Sequence, residues 1–240
     1  MTSTPRRVAA IVPAYNEQET LAEVLSVLKA TPLLDELIVV SDGSTDETVA
    51  IARGMKVKTI HLRRNQGKAA AMAMGVAHTE AEILVFVDGD ILNLTEAMLE
   101  RLVRPVLDGV SDMNVGIRNR GRLLNAFHRT FGPLLSGIRC LRREVFEAVP
   151  EEQIAGFAIE TGLNWSCRQL GLRTTTTVFF HLKHLVKEKK RGFRRGSRAR
   201  VEMFVAVFRA YLALSMKPPV PRRPDSSRPL APEREYVIFS

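Results

Sequence analysis

Four short apolar runs, each ended by a polar turn and separated by three helix-length segments, fill about the first ninety residues. Val8–Val12, Leu37–Val40, Val57–Leu62 and Ile83–Val87 are rich in β-branched residues and too short for buried helices, so they read as buried strands. Between them, Glu17–Lys29 carries Leu21, Val24, Leu25 and Leu28 on one helical face. Asp46–Arg53 reads as a helix stopped by Gly54, and Gly67–Ala77 as an Ala/Met-rich helix. This alternation predicts right-handed βαβ units and a mostly parallel central sheet flanked by helices. In such sheets ligands bind beyond the carboxyl ends of the strands. The unusual polar residues fall there: Pro13-Ala14-Tyr15-Asn16, Ser41-Asp42-Gly43-Ser44 and Asp88-Gly89-Asp90.

The 240 residues suffice for one α/β domain with its own core. A net charge of +9 points to anionic partners without choosing among nucleotides, phosphorylated molecules, lipid and nucleic acid. Cys140 and Cys167 match no metal spacing and no disulfide framework, so both are expected as reduced thiols in a cytoplasmic protein. No apolar run follows the basic residues of the N-terminus, and no stretch is long enough to span a bilayer; neither a signal peptide nor a transmembrane helix is expected.

The second half is less regular. Helices are expected at Leu123–Phe131, Arg143–Ala148 and Ala158–Leu170, and strands at Gly137–Leu141 and Thr174–Phe180. A basic segment, Lys183–Arg200, precedes an amphipathic helix carrying Val201, Phe204, Val205, Phe208 and Leu212. That helix suits core packing or a homodimer contact ahead of a membrane surface; the basic segment suits a lid over a diphosphate or a contact with anionic lipid. From residue 217 the chain is proline-rich and is expected to be loosely ordered. The organisation expected is one domain over 1–216, with a donor half (1–92), an acceptor half (93–192) and the C-terminal helix (193–216), then the tail 217–240.

Asp88-Gly89-Asp90 places two carboxylates on one tight turn after a buried strand. A plain turn explains that much, but two carboxylates also suit a hard divalent cation, which would neutralise a diphosphate leaving group. Pro13-Ala14-Tyr15-Asn16-Glu17, Ser41-Asp42-Gly43-Ser44-Thr45-Asp46, Asn65-Gln66-Gly67-Lys68 and Asp88-Gly89-Asp90 occur in this order at strand ends. Together they resemble the family 2 nucleotide-sugar glycosyltransferases of GT-A fold, over about Val8–Arg200 and most strongly before Ile91. The second half is similar to the glucosyl-3-phosphoglycerate synthase and polyprenyl-phosphate glycosyltransferase types.

The resemblance implies a Rossmann-like GT-A sheet and transfer of a hexose from a UDP- or GDP-sugar to an acceptor hydroxyl or phosphate, with Mg²⁺ or Mn²⁺. It places Pro13, Ala14, Tyr15, Glu17, Gly67, Lys68 and Gly89 around the donor. Asp42 would read the nucleobase, since a carboxylate accepts from a ring N–H; its plainer reading is a turn residue, and Asp46 reads as a helix cap. Lys68 at a helix N-terminus suits a diphosphate, or is simply solvated. Asp90 and His184 would hold the metal, with Asp88 assisting at the metal or the ribose; His181 is the weaker histidine. Glu160 would be the base in an inverting enzyme, or would orient the acceptor in a retaining one. Its plainer reading is a carboxylate at a helix start. Gly137 lies in an acceptor-side loop, and Arg118, Arg120 and Arg139 suit an acceptor phosphate, either small or lipid-linked, or are ordinary surface charge.

Gln66-Gly67-Lys68-Ala69 is no P-loop, because position 62 is leucine and no Ser or Thr follows the lysine. The chain lacks the Gly-x-Gly-x-x-Gly of dinucleotide sites. A basic nucleotide- or membrane-binding protein on the same scaffold is the competing class. Acidic loops that repel phosphate without a metal argue against it, and the absence of an aromatic platform argues against nucleic acid.

Overall fold

The computed structural model describes residues 6–119, 136–150, 159–184 and 236–239. The helix expected at 123–131, the basic segment beyond 184, the amphipathic helix and Arg120 lie outside the described residues.

The first half follows the expected alternation: β1 (Val8–Ala14), α1 (Leu21–Ala30), β2 (Glu36–Ser41), α2 (Thr48–Gly54), β3 (Lys58–Leu62), α3 (Lys68–Val76) and β4 (Ile83–Phe86). Then come β5 (Ile91–Leu92), α4 (Glu96–Leu107), β6 (Met113–Arg118), β7 (Ile138–Arg142), α5 (Arg143–Glu147), α6 (Ile159–Gln169), β8 (Thr174–Phe179), β9 (Lys183–His184) and β10 (Tyr236–Phe239). Among the described residues eight strands form one sheet in the order β10-β3-β2-β1-β4-β7-β6-β8. β1 to β4 run parallel; β7 runs antiparallel to both its neighbours, and β8 is parallel to β6. The carboxyl ends of β1, β2, β3, β4, β6 and β8 therefore share one edge with the amino end of β7.

Strand alternation divides the core into two layers. Val8, Ala10, Val12, Ile83 and Val85 pack with Leu21, Leu25, Leu99 and Val103 of α1 and α4. Ile11, Leu84 and Phe86 face the other way, onto Met72 of α3, Phe146 of α5 and Leu163 of α6. Burial of each such side chain is worth about 1.5–3 kcal/mol, enough to override weak local propensities. Both cysteines are buried and unbonded, as free thiols.

Two prolines sit where their missing N–H is harmless. Pro13 lies inside β1 instead of ending it, in register with Val40 of β2. Ala14 O accepts from Asp42 N on the β2 side, so the Pro13 nitrogen faces β4, whose ladder with β1 has stopped at Val87 N–H to Ile11 O. Pro105 lies within α4 and cannot donate to Arg101 O. Asn114 Nδ2 on β6 donates to that carbonyl at 3.2 Å and to Leu102 O at 2.9 Å, and Thr177 Oγ1 on β8 donates to Arg101 O at 3.4 Å. A buried asparagine in the strand next to the sheet edge thus repairs a proline in the covering helix.

The end of the tail departs from the loose order expected. Tyr236–Phe239 is a run of β-branched and aromatic residues, and it forms the antiparallel edge strand beside β3.

Candidate active site

The first three loops are fastened to one another before any ligand is considered. Asp42 is buried at the end of β2. Its Oδ1 accepts from Gln66 N at 2.7 Å and its Oδ2 from Gly67 N at 2.8 Å. Gly43, at φ +71°, lies so close to the Arg64–Asn65 backbone that a Cβ would fall 2.5 Å from Asn65 N. The Asn16 N–H donates to Ser44 Oγ at 3.1 Å, and Asn16 Oδ1 accepts from Thr45 N at 2.9 Å. The Glu17 N–H donates to Thr48 Oγ1 at 2.8 Å, and Glu17 is buried while Tyr15 is exposed. Asp46 stands one residue before Glu47, the N-cap of α2, yet its side chain takes up the helix start: Oδ1 accepts from Thr48 N at 3.0 Å and Oδ2 from Gln18 N at 3.3 Å. Burial pushes its carboxyl up, but these bonds outweigh that and hold it below the ordinary value.

Asp88, Gly89 and Asp90 follow β4 at the centre of this edge. Gly89 is anchored by Thr20, whose Oγ1 donates to its carbonyl at 2.7 Å. Lys68 opens α3, and its Nζ lies 2.7 Å from Asp88 Oδ1 and 2.9 Å from Glu160 Oε1. One ammonium therefore bridges the strand-end carboxylate of the first half and the helix-start carboxylate of the second, and Glu160 lies 92 residues from Lys68 in sequence. Burial opposes the Lys68 charge, but the two carboxylates outweigh it and raise its pKa. Burial likewise pushes Glu160 up, yet Lys68 and then Arg139 hold it below the ordinary glutamate range. Glu160 is an ionised, cation-bound carboxylate, and so a weak proton acceptor at neutral pH.

Gly137 faces this cluster directly. A Cβ there would fall 1.6 Å from Asp88 Oδ2, so only glycine lets the loop before β7 lie against the carboxylate. Gly137→Ala is expected to push the Asp88 carboxylate aside and cost about 1–3 kcal/mol in urea unfolding. An unshifted unfolding midpoint would show that the loop and Asp88 separate freely.

The expected arginines divide. Arg118 ends β6 on the shared edge and is half-buried. Arg139 does not present a surface arm: it is 1% exposed, directed inward from β7. Sequence reading missed this because a charged residue in the middle of a strand says nothing of its partners. Of the residues expected to hold a metal, His184 lies opposite Ile91, the residue after Asp90, because β9 pairs with β5. His181 lies beside Asn93, whose Nδ2 donates to its carbonyl at 3.2 Å. Among the described residues no three His, Cys, Asp or Glu side chains gather as a metal cluster. Two carboxylates on one turn fit the other common arrangement, in which a small hard cation takes one or two protein ligands and completes its shell with substrate phosphate.

Residues 9–147 match the description Glycosyl transferase family 2. Glucosyl-3-phosphoglycerate synthase of Mycobacterium tuberculosis (strain ATCC 25618 / H37Rv) is 30% identical over 195 residues, covering 66% of this chain and 60% of that protein. Undecaprenyl-phosphate 4-deoxy-4-formamido-L-arabinose transferase of Sodalis glossinidius is 29% identical over 167 residues, 60% of this chain and 51% of that protein. The chain thus spans about half to three-fifths of these curated relatives. The crystal structure of the M. tuberculosis glucosyl-3-phosphoglycerate synthase with Mn²⁺ and uridine-diphosphate-glucose superposes with a TM-score of 0.70 at 25% identity, over 87% of this chain and 79% of that one. The same synthase with phosphoglyceric acid superposes with a TM-score of 0.72 at 24% identity, over 89% of this chain, and shares its GT-A fold. The family match covers more than half of the 240 residues, and the chain belongs to glycosyl transferase family 2.

Proposed function

We propose that this chain transfers a hexose from a UDP- or GDP-linked donor to a phosphorylated acceptor, with Mg²⁺ or Mn²⁺ as cofactor. The observation that carries the reading is the Lys68 bridge between Asp88 and Glu160, which joins a donor-side loop to an acceptor-side helix at the carboxyl edge of the sheet. The M. tuberculosis relative, crystallised with Mn²⁺, uridine-diphosphate-glucose and phosphoglyceric acid, supports both the donor and the acceptor class.

Asp90 and His184 are the residues that would hold the cation, with Asp88 at the cation or the ribose. Bound there, the metal would neutralise charge developing on the diphosphate. Pro13, Ala14, Tyr15, Glu17, Gly67 and Gly89 would frame the nucleotide. Asp42 spends both oxygens on the Gln66 and Gly67 amides, so its first task in this reading is to shape the donor loop; a base N–H would use a remaining lone pair. Lys68, at the α3 N-terminus, would stabilise donor charge while still tethered to Glu160. The cation-bound state of Glu160 favours orienting the acceptor over taking its proton, and hence a retaining outcome. Gly137 and Arg118 would border the acceptor.

Among the described residues no helix is long and apolar enough to cross a membrane. A cytoplasmic location, peripheral membrane contact through the basic segment and a homodimer remain part of the proposal. Incubation with UDP-glucose or GDP-mannose, Mn²⁺ and either 3-phosphoglycerate or a short polyprenyl phosphate should give a glycosylated acceptor by mass spectrometry, with the α-anomer retained. A glycosylated product of inverted configuration would return Glu160 to the role of base.

A further inference from the structure

Arg139 is the largest fully buried side chain of the described residues, and it stands on β7, an interior strand, opposite Phe86 of β4 on one side and Val115 of β6 on the other. Nothing in sheet formation requires a cation there, and burying one is costly unless it is paired and fully hydrogen-bonded. Its guanidinium is spent on two segments. Nε and Nη2 donate to the Ser136 carbonyl at 3.3 and 3.0 Å. Nη1 donates to the Glu160 carbonyl and to Asn164 Oδ1, at 3.4 and 3.3 Å. The first segment is the loop whose Gly137 lies against Asp88; the second is the first two turns of α6, which carry Glu160 to Lys68. Ser136 is tied on its other side to β6, its Oγ donating to the Gly116 carbonyl.

We infer that Arg139 is a positioning residue: its guanidinium fork clamps the Ser136–Gly137 loop to the start of α6 and so fixes the acceptor side of the site against the donor side. This rests on the acceptor-side reading of Glu160 and Gly137 given above, and it replaces direct acceptor binding by Arg139. Fork geometry is the essential property. Lysine keeps the charge but has no planar set of donors able to hold Ser136 O, Glu160 O and Asn164 Oδ1 together. The charges facing it are the buried Glu160 on α6 and the partly exposed Asp88 after β4, with Lys68 of α3 beyond them and the neutral thiol of Cys167 behind. Loss of the clamp misplaces reacting groups by a fraction of an ångström to an ångström, a displacement worth about a hundredfold in turnover.

The test compares Arg139→Lys, Arg139→Gln and the milder Asn164→Ala. Amide hydrogen exchange should quicken at residues 136–138 and 159–164 in each variant, with the strands β1 to β3 unchanged. The thermal shift produced by UDP-glucose with Mn²⁺ should match wild type, whereas kcat for transfer to the phosphorylated acceptor should fall about a hundredfold in both Arg139 variants and about tenfold in Asn164→Ala. Wild-type kcat in Arg139→Lys would overturn the inference, since charge alone would then suffice. Loss of the donor shift in a folded variant would overturn it as well, by placing Arg139 on the donor. If neither Arg139 variant gives a cooperative melt, Asn164→Ala decides: unchanged exchange and turnover there would end the proposal. If wild type itself transfers no sugar, the functional reading fails separately, and the exchange data still decide whether Arg139 is the clamp.

Discussion

Asp90→Ala is expected to lower sugar transfer about a thousandfold or more, with its ligand-free melting temperature within a few degrees of wild type. The carboxylate stands on the turn after β4, beyond the buried strand and outside both apolar layers, so little packing is lost with it. Its loss would be felt where negative charge accumulates on a departing diphosphate. Metal stabilisation of such charge is worth several kcal/mol, and each 1.36 kcal/mol is about tenfold in rate. Nucleotide release measured across a Mn²⁺ titration should show a residual rate that rises with metal without reaching the wild-type plateau. Wild-type turnover in the variant, or full wild-type activity in EDTA, would remove Asp90 and the metal from the account.

Lys68→Met should be damaging in two separable ways. The wild-type ammonium compensates two carboxylates, and methionine fills similar space without charge. Breaking a buried pair costs about 3–5 kcal/mol; with 32% of the Lys68 side chain exposed to water, a loss of about 1–3 kcal/mol is expected. The loss has a pH signature. Glu160 ionises below its ordinary 4.5 in the folded protein, so it contributes stability above about pH 4.5, and that contribution disappears as pH falls through the depressed value. Lys68 has a raised pKa, so its contribution is complete below its ordinary 10.5 and is lost only as pH rises through the raised value. The difference in stability between wild type and variant should therefore be full from about pH 5 to 10 and shrink in acid. A gap that stayed constant down to pH 3 would mean the bridge contributes nothing and the variant suffers from packing alone. Transfer should fall too, since the same side chain faces the donor in the proposed site.

The first half of the chain was legible because its pattern is local. Each apolar run ends at the residues that matter, and sheet topology brings those ends together whatever their partners. Asp46 shows the same legibility on a smaller scale: its cap contacts lie two residues away, at Thr48, and across the neighbouring loop, at Gln18. What escaped the sequence is long-range pairing. Nothing in Lys68 announces Glu160, nothing in Arg139 announces Glu160 and Asn164, and Asn114 gives no sign that it repairs Pro105. α4 and β6 went unread for a related reason: a proline inside the helix and an asparagine inside the strand each weaken the local pattern, and each is explained only by the other. β10 was hidden by the proline-rich composition that precedes it, although its own four residues are strong strand formers.

The central claim is that the carboxyl edge of the sheet binds a nucleotide diphosphate sugar together with a divalent cation. A thermal-shift titration of UDP- and GDP-sugars, each with and without Mn²⁺, tests it most directly, because a ligand that binds only the folded protein raises its stability by about 2.7 kcal/mol at a hundred times its Kd. The melting temperature should rise by several degrees with one donor class plus Mn²⁺, much less with that donor alone, and show no metal-dependent rise in Asp90→Ala. Equal shifts with and without Mn²⁺, or no shift with any nucleotide sugar at millimolar concentration, would contradict it.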